Sequence, residues 1–112
     1  MNKVYLYLND IALGYLIAGD GSYLYYADRE NVLLAKEKYP IQMKLYNLND
    51  GGMKKYENIP HLFNVYLDGA TREDIIQSAG IEKDDSDFTK LYKLAELDFH
   101  PINFSIKAGS WF

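Results

Sequence analysis

Two histidines, His61 and His100, are the only imidazoles in the chain, and 39 positions separate them. Neither has a neighbouring ligand pattern, and a zinc site needs three or four converging donors. Cysteine is absent, which removes thiolate nucleophiles, disulfides and cysteine-based zinc sites together and fits a reducing compartment. Asp84-Asp85-Ser86-Asp87 gathers three carboxylates. It lacks the central glycine and distal glutamate of a calcium loop, so helix capping within a solvated charge run explains it better. Gly19-Asp20-Gly21 is the one glycine-rich candidate for a phosphate loop, but Leu24 falls where a third glycine belongs and the flanks read as a hairpin. No Gly-x-Ser-x-Gly elbow, Walker lysine or kinase catalytic loop is present. These residues do not assemble an enzyme, and no cofactor or metal is expected.

The elements that would position these residues change character midway. Val4, Leu6 and Leu8 alternate with Tyr5, Tyr7 and Asn9, as the two faces of a strand do. Asn9-Asp10 supplies a turn, residues 13–18 a return strand, and residues 19–22 a second turn into a strand over 23–26. Asp28 can cap a helical turn through Leu34, the Lys36-Glu37-Lys38 cluster returns to solvent, and Pro40 starts an extended run to Tyr46. Asn49-Asp50-Gly51-Gly52 is a strong turn signal, while the pattern over 53–56 leaves a further strand undecided.

After Pro60 the period becomes helical. Leu62, Val65 and Tyr66 share one face, with Gly69 at the end. Thr71 is a good N-cap for a second helix carrying Ile75, Ile76 and Ala79 to Gly80. Asp85 or Ser86 caps a third with Phe88, Leu91, Tyr92 and Ala95, and Ile102, Phe104 and Ile106 alternate as a last strand. The expected fold is a single α+β domain over residues 1–112. It is a small, mostly antiparallel sheet or partial barrel made of an N-terminal meander and a C-terminal strand, with two or three short helices in the second half.

Composition narrows the function. Apolar residues make up 48% and charged residues 25%, the balance of a folded globular chain, and no apolar stretch reaches the ~20 residues of a membrane span. The expected location is the cytoplasm. Twelve basic against sixteen acidic residues give a net charge of −4, which opposes unaided binding to nucleic acid. Eleven tyrosines raise the prospect of an interface, because tyrosine couples a large apolar ring to a polar tip. Tyr5, Tyr7, Tyr23, Tyr25 and Tyr26 could stack single-stranded bases, but Lys3 is the only basic residue before Arg29, so phosphate contacts look scarce.

Residues 63–69, Phe-Asn-Val-Tyr-Leu-Asp-Gly, with Arg72 three positions later, resemble the Phe-x-Asn-Leu-Leu-Pro-Glu-Gly…Arg segment of HipA-type serine/threonine kinases. Val4-Tyr5-Leu6 through Gly14 and Leu16 is similar to that family's opening hairpin, Tyr25-Tyr26 with Asp28 to its third strand, and Pro40-Ile41-Gln42-Met43 to its Pro-Leu-Ser-Leu. Gly80-Ile81, then Asp87-Phe88 and Leu91, resembles its Gly…Asp-Asp-Phe-x-Leu-Leu stretch. Leu67 and Asp68 replace the family's proline and glutamate, and residues 97–101 replace a glycine-rich loop.

In those kinases the segment is an N-terminal subdomain ahead of the catalytic body, whose motifs this chain lacks. The resemblance therefore implies a free-standing subdomain acting in trans, as in three-component HipBST toxin–antitoxin systems. Its partner would be a HipT-like serine/threonine kinase toxin, held inactive by occupancy. A HipB-like helix-turn-helix protein would share the complex, and nucleic acid would be met only through it. The same resemblance leaves open a docking subunit that joins the two without inhibiting. The residues it points to as partner contacts are Phe63 and Tyr66 as anchors, Asn64 and Asp68 as polar contacts, Gly69 for the bend and Arg72 for a charge pair.

Overall fold

Alternation in the first eight residues sets the architecture. In the computed structural model, which describes residues 2–69, 71–97 and 103–110, strand β1 (Asn2–Leu8) buries Val4, Leu6 and Leu8 completely and turns Lys3, Tyr5 and Tyr7 the other way. Asn9, at φ 53°, supplies the left-handed turn conformation that asparagine tolerates. β2 (Ile11–Ala18) returns antiparallel and β3 (Tyr23–Ala27) follows across the turn at residues 19–22, which Gly19 N–H closes onto the Ser22 carbonyl at 2.8 Å.

The β1–β2 register slips between Leu6 and Tyr7, so Leu13 is an extra residue in β2. A bulge leaves its backbone groups outside the ladder. Here the freed Leu13 carbonyl accepts the Asp28 N–H at 2.8 Å, which fixes the start of the next element. Gly14 beside it has no substitute: a Cβ there would lie 2.0 Å from the Tyr26 carbonyl oxygen and 2.7 Å from the Tyr25 hydroxyl.

Asp28 caps helix α1 (Arg29–Lys38) by accepting the Asn31 N–H at 3.1 Å, as expected, and the helix runs on past Leu34 to take in the 36–38 cluster as its last turn. The extended run expected over 41–46 is instead a short 3-10 helix, Gln42–Leu45. An alternating reading would bury Ile41, Met43 and Leu45 together. The buried pair is Met43 and Tyr46, three apart, with Ile41 and Leu45 outside, so the real period is three. The undecided residues 53–56 lie in strand β4 (Gly52–Tyr56), paired with β3. Asn49 ties its turn by donating to the Gly52 carbonyl at 2.8 Å and accepting the Tyr56 hydroxyl at 3.0 Å.

Helices α2 (His61–Gly69), α3 (Glu73–Ala79) and α4 (Asp87–Glu96) follow, and β5 (Phe104–Ser110) closes the chain against β1. Arg72, not Thr71, occupies the N-cap position of α3; the Thr71 hydroxyl donates back to the Asp68 carbonyl at 3.0 Å. Gly80, at φ 69°, ends α3 with the Ile81 N–H on the Ile76 carbonyl, the left-handed stop that glycine permits. Ser86 caps α4, as anticipated. The expected strand start at Ile102, His100 and the 98–101 part of the replaced loop lie outside the described residues.

The result is an α+β fold with a five-stranded antiparallel sheet ordered β4-β3-β2-β1-β5, so β4 and β5 form opposite edges rather than a closed barrel. One hydrophobic cluster joins the inward strand residues to Val32 and Ala35 of α1, Leu62, Phe63 and Tyr66 of α2, and Phe88, Leu91 and Leu94 of α4. The outward set, Tyr5, Tyr7, Tyr15 and Tyr26 among it, does not belong to that cluster. The helices therefore pack on one face of the sheet.

Candidate docking surfaces

Helix α2 carries the segment that resembles the kinase family, and its apolar spacing decides which side chains a partner can reach. Ile59, Leu62, Phe63 and Tyr66 recur at three- and four-residue intervals and form the buried stripe. Phe63 is fully buried, with its ring edge-on to Tyr25 at 6.1 Å. Tyr66 is equally buried, and its hydroxyl donates to the Phe104 carbonyl at 2.6 Å, which pins α2 to β5. Burial raises the Tyr66 phenol well above its ordinary pKa.

The two aromatics expected as interface anchors are thus core residues. They hold the helix in place instead of offering it to a partner. The sequence signal for this was present: Phe63 and Tyr66 lie three apart, in step with Ile59 and Leu62, as an inward stripe requires. Val65, expected inside, is only half-buried.

Of the remaining expected contacts, Asn64 is half-buried, Asp68 is exposed one turn on, and Gly69 is the last residue of α2. Arg72, expected to make a charge pair with a partner, is exposed, and its guanidinium pairs within the chain with Asp74 at 3.0 Å. Asn64 alone of the six lines a cleft of about 460 Å³ bounded by the β2–β3 turn, residues 57–59 and the start of α4. Two carboxylates reach this cleft, Glu57 and Asp87, and both are exposed. His61 is exposed at the first position of α2.

The acidic run folds as a clasp. Asp85 Oδ2 accepts the Glu82 N–H at 2.9 Å and the Lys93 ammonium at 2.6 Å, and Lys93 also donates to the Gly80 carbonyl at 2.8 Å. The Glu82 amide first and the Lys93 ammonium second hold the Asp85 carboxyl below the usual carboxylate range. Carboxylate oxygens of Glu82, Asp84 and Asp85 lie within 4.8 Å of one another, and the Lys93 ammonium already serves as their counter-charge. The cluster locks the α3–α4 connection.

A feature that the sequence did not single out is apolar. Leu33 (54% exposed), Leu34 (48%), Ile41 (74%) and Leu45 (54%) fall within thirteen residues of chain, on the outer side of α1 and on the 3-10 helix. Single exposed leucines are ordinary, and four large apolar side chains exposed in one stretch of chain are less so. Periodicity hid this feature, because the expected strand over 41–46 would have buried Ile41 and Leu45. Among the described residues no helix is long and apolar enough to cross a membrane.

No protein-family model matches the chain, and no curated protein or solved structure is significantly similar to it.

Proposed function

We propose that this chain is a docking protein that inhibits a HipT-like serine/threonine kinase in trans, in the manner of HipS, the small subunit of HipBST toxin–antitoxin systems. The observation that carries the docking reading is the concentration of exposed large apolar side chains over residues 33–45. A specific interface covers about 800 Å² on each partner, and its energy concentrates in a few well-packed apolar or aromatic side chains. Ile41 and Leu45 are such candidates. The choice of a kinase as partner rests on the resemblance around residues 63–72. There Asn64 and Asp68 supply polar contacts from a helix that Phe63 and Tyr66 hold rigid, so that little ordering cost is left for binding. Inhibition is by occupancy, with no chemistry from the chain itself.

The test mixes the purified chain with a HipT-like serine/threonine kinase and follows autophosphorylation and complex formation. The chain is expected to suppress autophosphorylation at stoichiometric amounts. Ile41→Lys combined with Leu45→Lys, or Asn64→Ala combined with Asp68→Ala, is expected to weaken the complex at least tenfold without lowering the melting temperature, as loss of a hot spot does. Equal kinase activity with and without the chain sinks the proposal.

A further inference from the structure

Helix α1 and the turn that leads into β4 enclose a groove of about 500 Å³, lined by Arg29, Leu33, Asp50, Gly51 and Gly52. Arg29, Leu33 and Lys36 fall at i, i+4 and i+7, the spacing that brings side chains to one side of a helix. Lys36 reaches across to Asp50 at 2.9 Å and balances its charge. The wall opposite the helix is fixed from within, because Asn49 bonds both the Gly52 carbonyl and the Tyr56 hydroxyl. A wall tied in this way has little left to order when something enters.

Arg29 is the side chain of this groove that the fold does not use. Its stem lies along Gly51: a Cβ there would be 3.0 Å from Arg29 Cβ, 3.4 Å from Cγ and 3.5 Å from Cδ. The missing side chain lets the arginine lie against the turn, which orients its exposed guanidinium. Among the described residues no carboxylate pairs with it: Lys36 holds Asp50, and Asp28 accepts the Asn31 N–H. A cation at the first residue of a helix also meets the positive end of the helix dipole, so the charge does not serve α1. Leu33 lies one turn on, 54% exposed, and belongs to the apolar stretch proposed above to dock.

Given the docking reading above, on which this rests, we infer that the groove takes an acidic–apolar segment of the kinase. One Asp or Glu carboxylate of that segment pairs with the Arg29 guanidinium, and the adjoining apolar side chain seats on Leu33. An arginine fixed by its stem beside an exposed leucine suits an interface hot spot, where arginine is enriched. Its guanidinium takes a carboxylate through two parallel N–H···O bonds. A phosphate group carries up to two negative charges and is met by clusters of arginines. Here a single guanidinium shares the groove with Asp50, which matches one carboxylate and no more. A second copy of this chain is disfavoured as the occupant, because each copy brings a net charge of −4.

Surface plasmon resonance of the purified chain against a HipT-like serine/threonine kinase, at low and high salt, tests this. Arg29→Gln weakens binding about tenfold at low salt and flattens its salt dependence. Arg29→Lys, which keeps the charge and loses the two-bond geometry, falls between Arg29→Gln and the parent. Leu33→Ser weakens binding about fivefold at both salt levels, as loss of part of an apolar contact does. Lys83→Gln, at an exposed lysine on the connection to α4, leaves affinity and salt dependence unchanged. Arg29→Glu abolishes binding, and one Asp→Lys or Glu→Lys substitution on the kinase restores it, which also shows that the variant is folded. The inference is overturned, with the docking reading left in place, by parental affinity in Arg29→Gln, by equal losses in Lys83→Gln and Arg29→Gln, or by absence of any rescuing kinase variant. Loss of binding on phosphatase treatment of the kinase also overturns it, as does a dimer in sedimentation that Arg29→Glu converts to monomer. Failure of the parent chain to bind the kinase removes the docking reading and this inference together.

Discussion

Replacing Tyr66 by phenylalanine removes one oxygen and separates the two roles a conspicuous aromatic on α2 could have. The ring is fully buried and its hydroxyl sits 2.6 Å from the Phe104 carbonyl, so the substitution deletes a buried hydrogen bond and leaves that carbonyl without its partner. A net hydrogen bond is worth ~1 kcal/mol, and stranding a buried acceptor raises the cost to ~1–3 kcal/mol. Against a total stability of ~5–15 kcal/mol this is a visible fraction. A loss of 2 kcal/mol corresponds to a drop of about 8 °C in melting temperature for a domain near this size. Urea unfolding followed by far-UV circular dichroism should show the midpoint falling by about 1 M with the slope unchanged. Asp68→Ala, on the exposed side of the same helix, should stay within ~0.5 kcal/mol of the parent. A Tyr66→Phe variant with the parental midpoint, or one that loses kinase binding while keeping its stability, would refute the assignment of this side chain to the core.

Gly14→Ala should cost more than a helical glycine substitution, because the added methyl meets backbone 2.0 Å away rather than a mobile side chain; overpacking of this kind costs ~1–3 kcal/mol or more, and a melting temperature at or above the parent's would contradict the close approach at the bulge. Alkaline pH should unfold the chain through its buried phenols. Burial, with Tyr46 nearby, raises Tyr25, burial raises Tyr66, and burial pushes Tyr46 up to about 12. The folded chain then holds protons that the unfolded chain has released, so this stability is complete below about pH 10 and declines as pH rises from there toward and beyond 12. Tyrosinate absorbance should rise cooperatively with loss of circular dichroism, and independent titration of all tyrosines near pH 10 in an intact fold would refute it.

Strong periodicity and capping made most of the elements legible. The β1–β3 meander follows from strict alternation and turn residues, α1 and α4 begin at the caps Asp28 and Ser86, and Gly80 stops α3. The failures have physical reasons. Residues 41–46 alternate well enough to pass for a strand, and only the tertiary burial of Met43 and Tyr46 selects a 3-10 helix. β4 shows no alternation because four of its five residues are exposed at a sheet edge, where backbone pairing rather than burial defines the strand. The candidate surface was read less well than the fold. The resemblance drew attention to Phe63 and Tyr66, whose spacing with Ile59 and Leu62 already marked them as an inward stripe. Asp68 and Arg72 lie at the surface, as expected.

Tyrosine content alone could not have located an interface, because strand parity sends the same residue type to opposite fates. Tyr25 and Tyr26 are neighbours in β3, yet Tyr25 is fully buried against Phe63 while Tyr26 is 37% exposed in the outer row. That same parity separates two surfaces. Val32 and Ala35 seat α1 on the inner face, so the exposed leucines of α1 belong to the helical side of the molecule and the outer tyrosine row to the other. A partner that covers residues 33–45 need not touch Tyr5, Tyr15 or Tyr26. Tyr26→Ser, in the outer row, should therefore leave kinase inhibition unchanged, whereas Ile41→Lys with Leu45→Lys should relieve it.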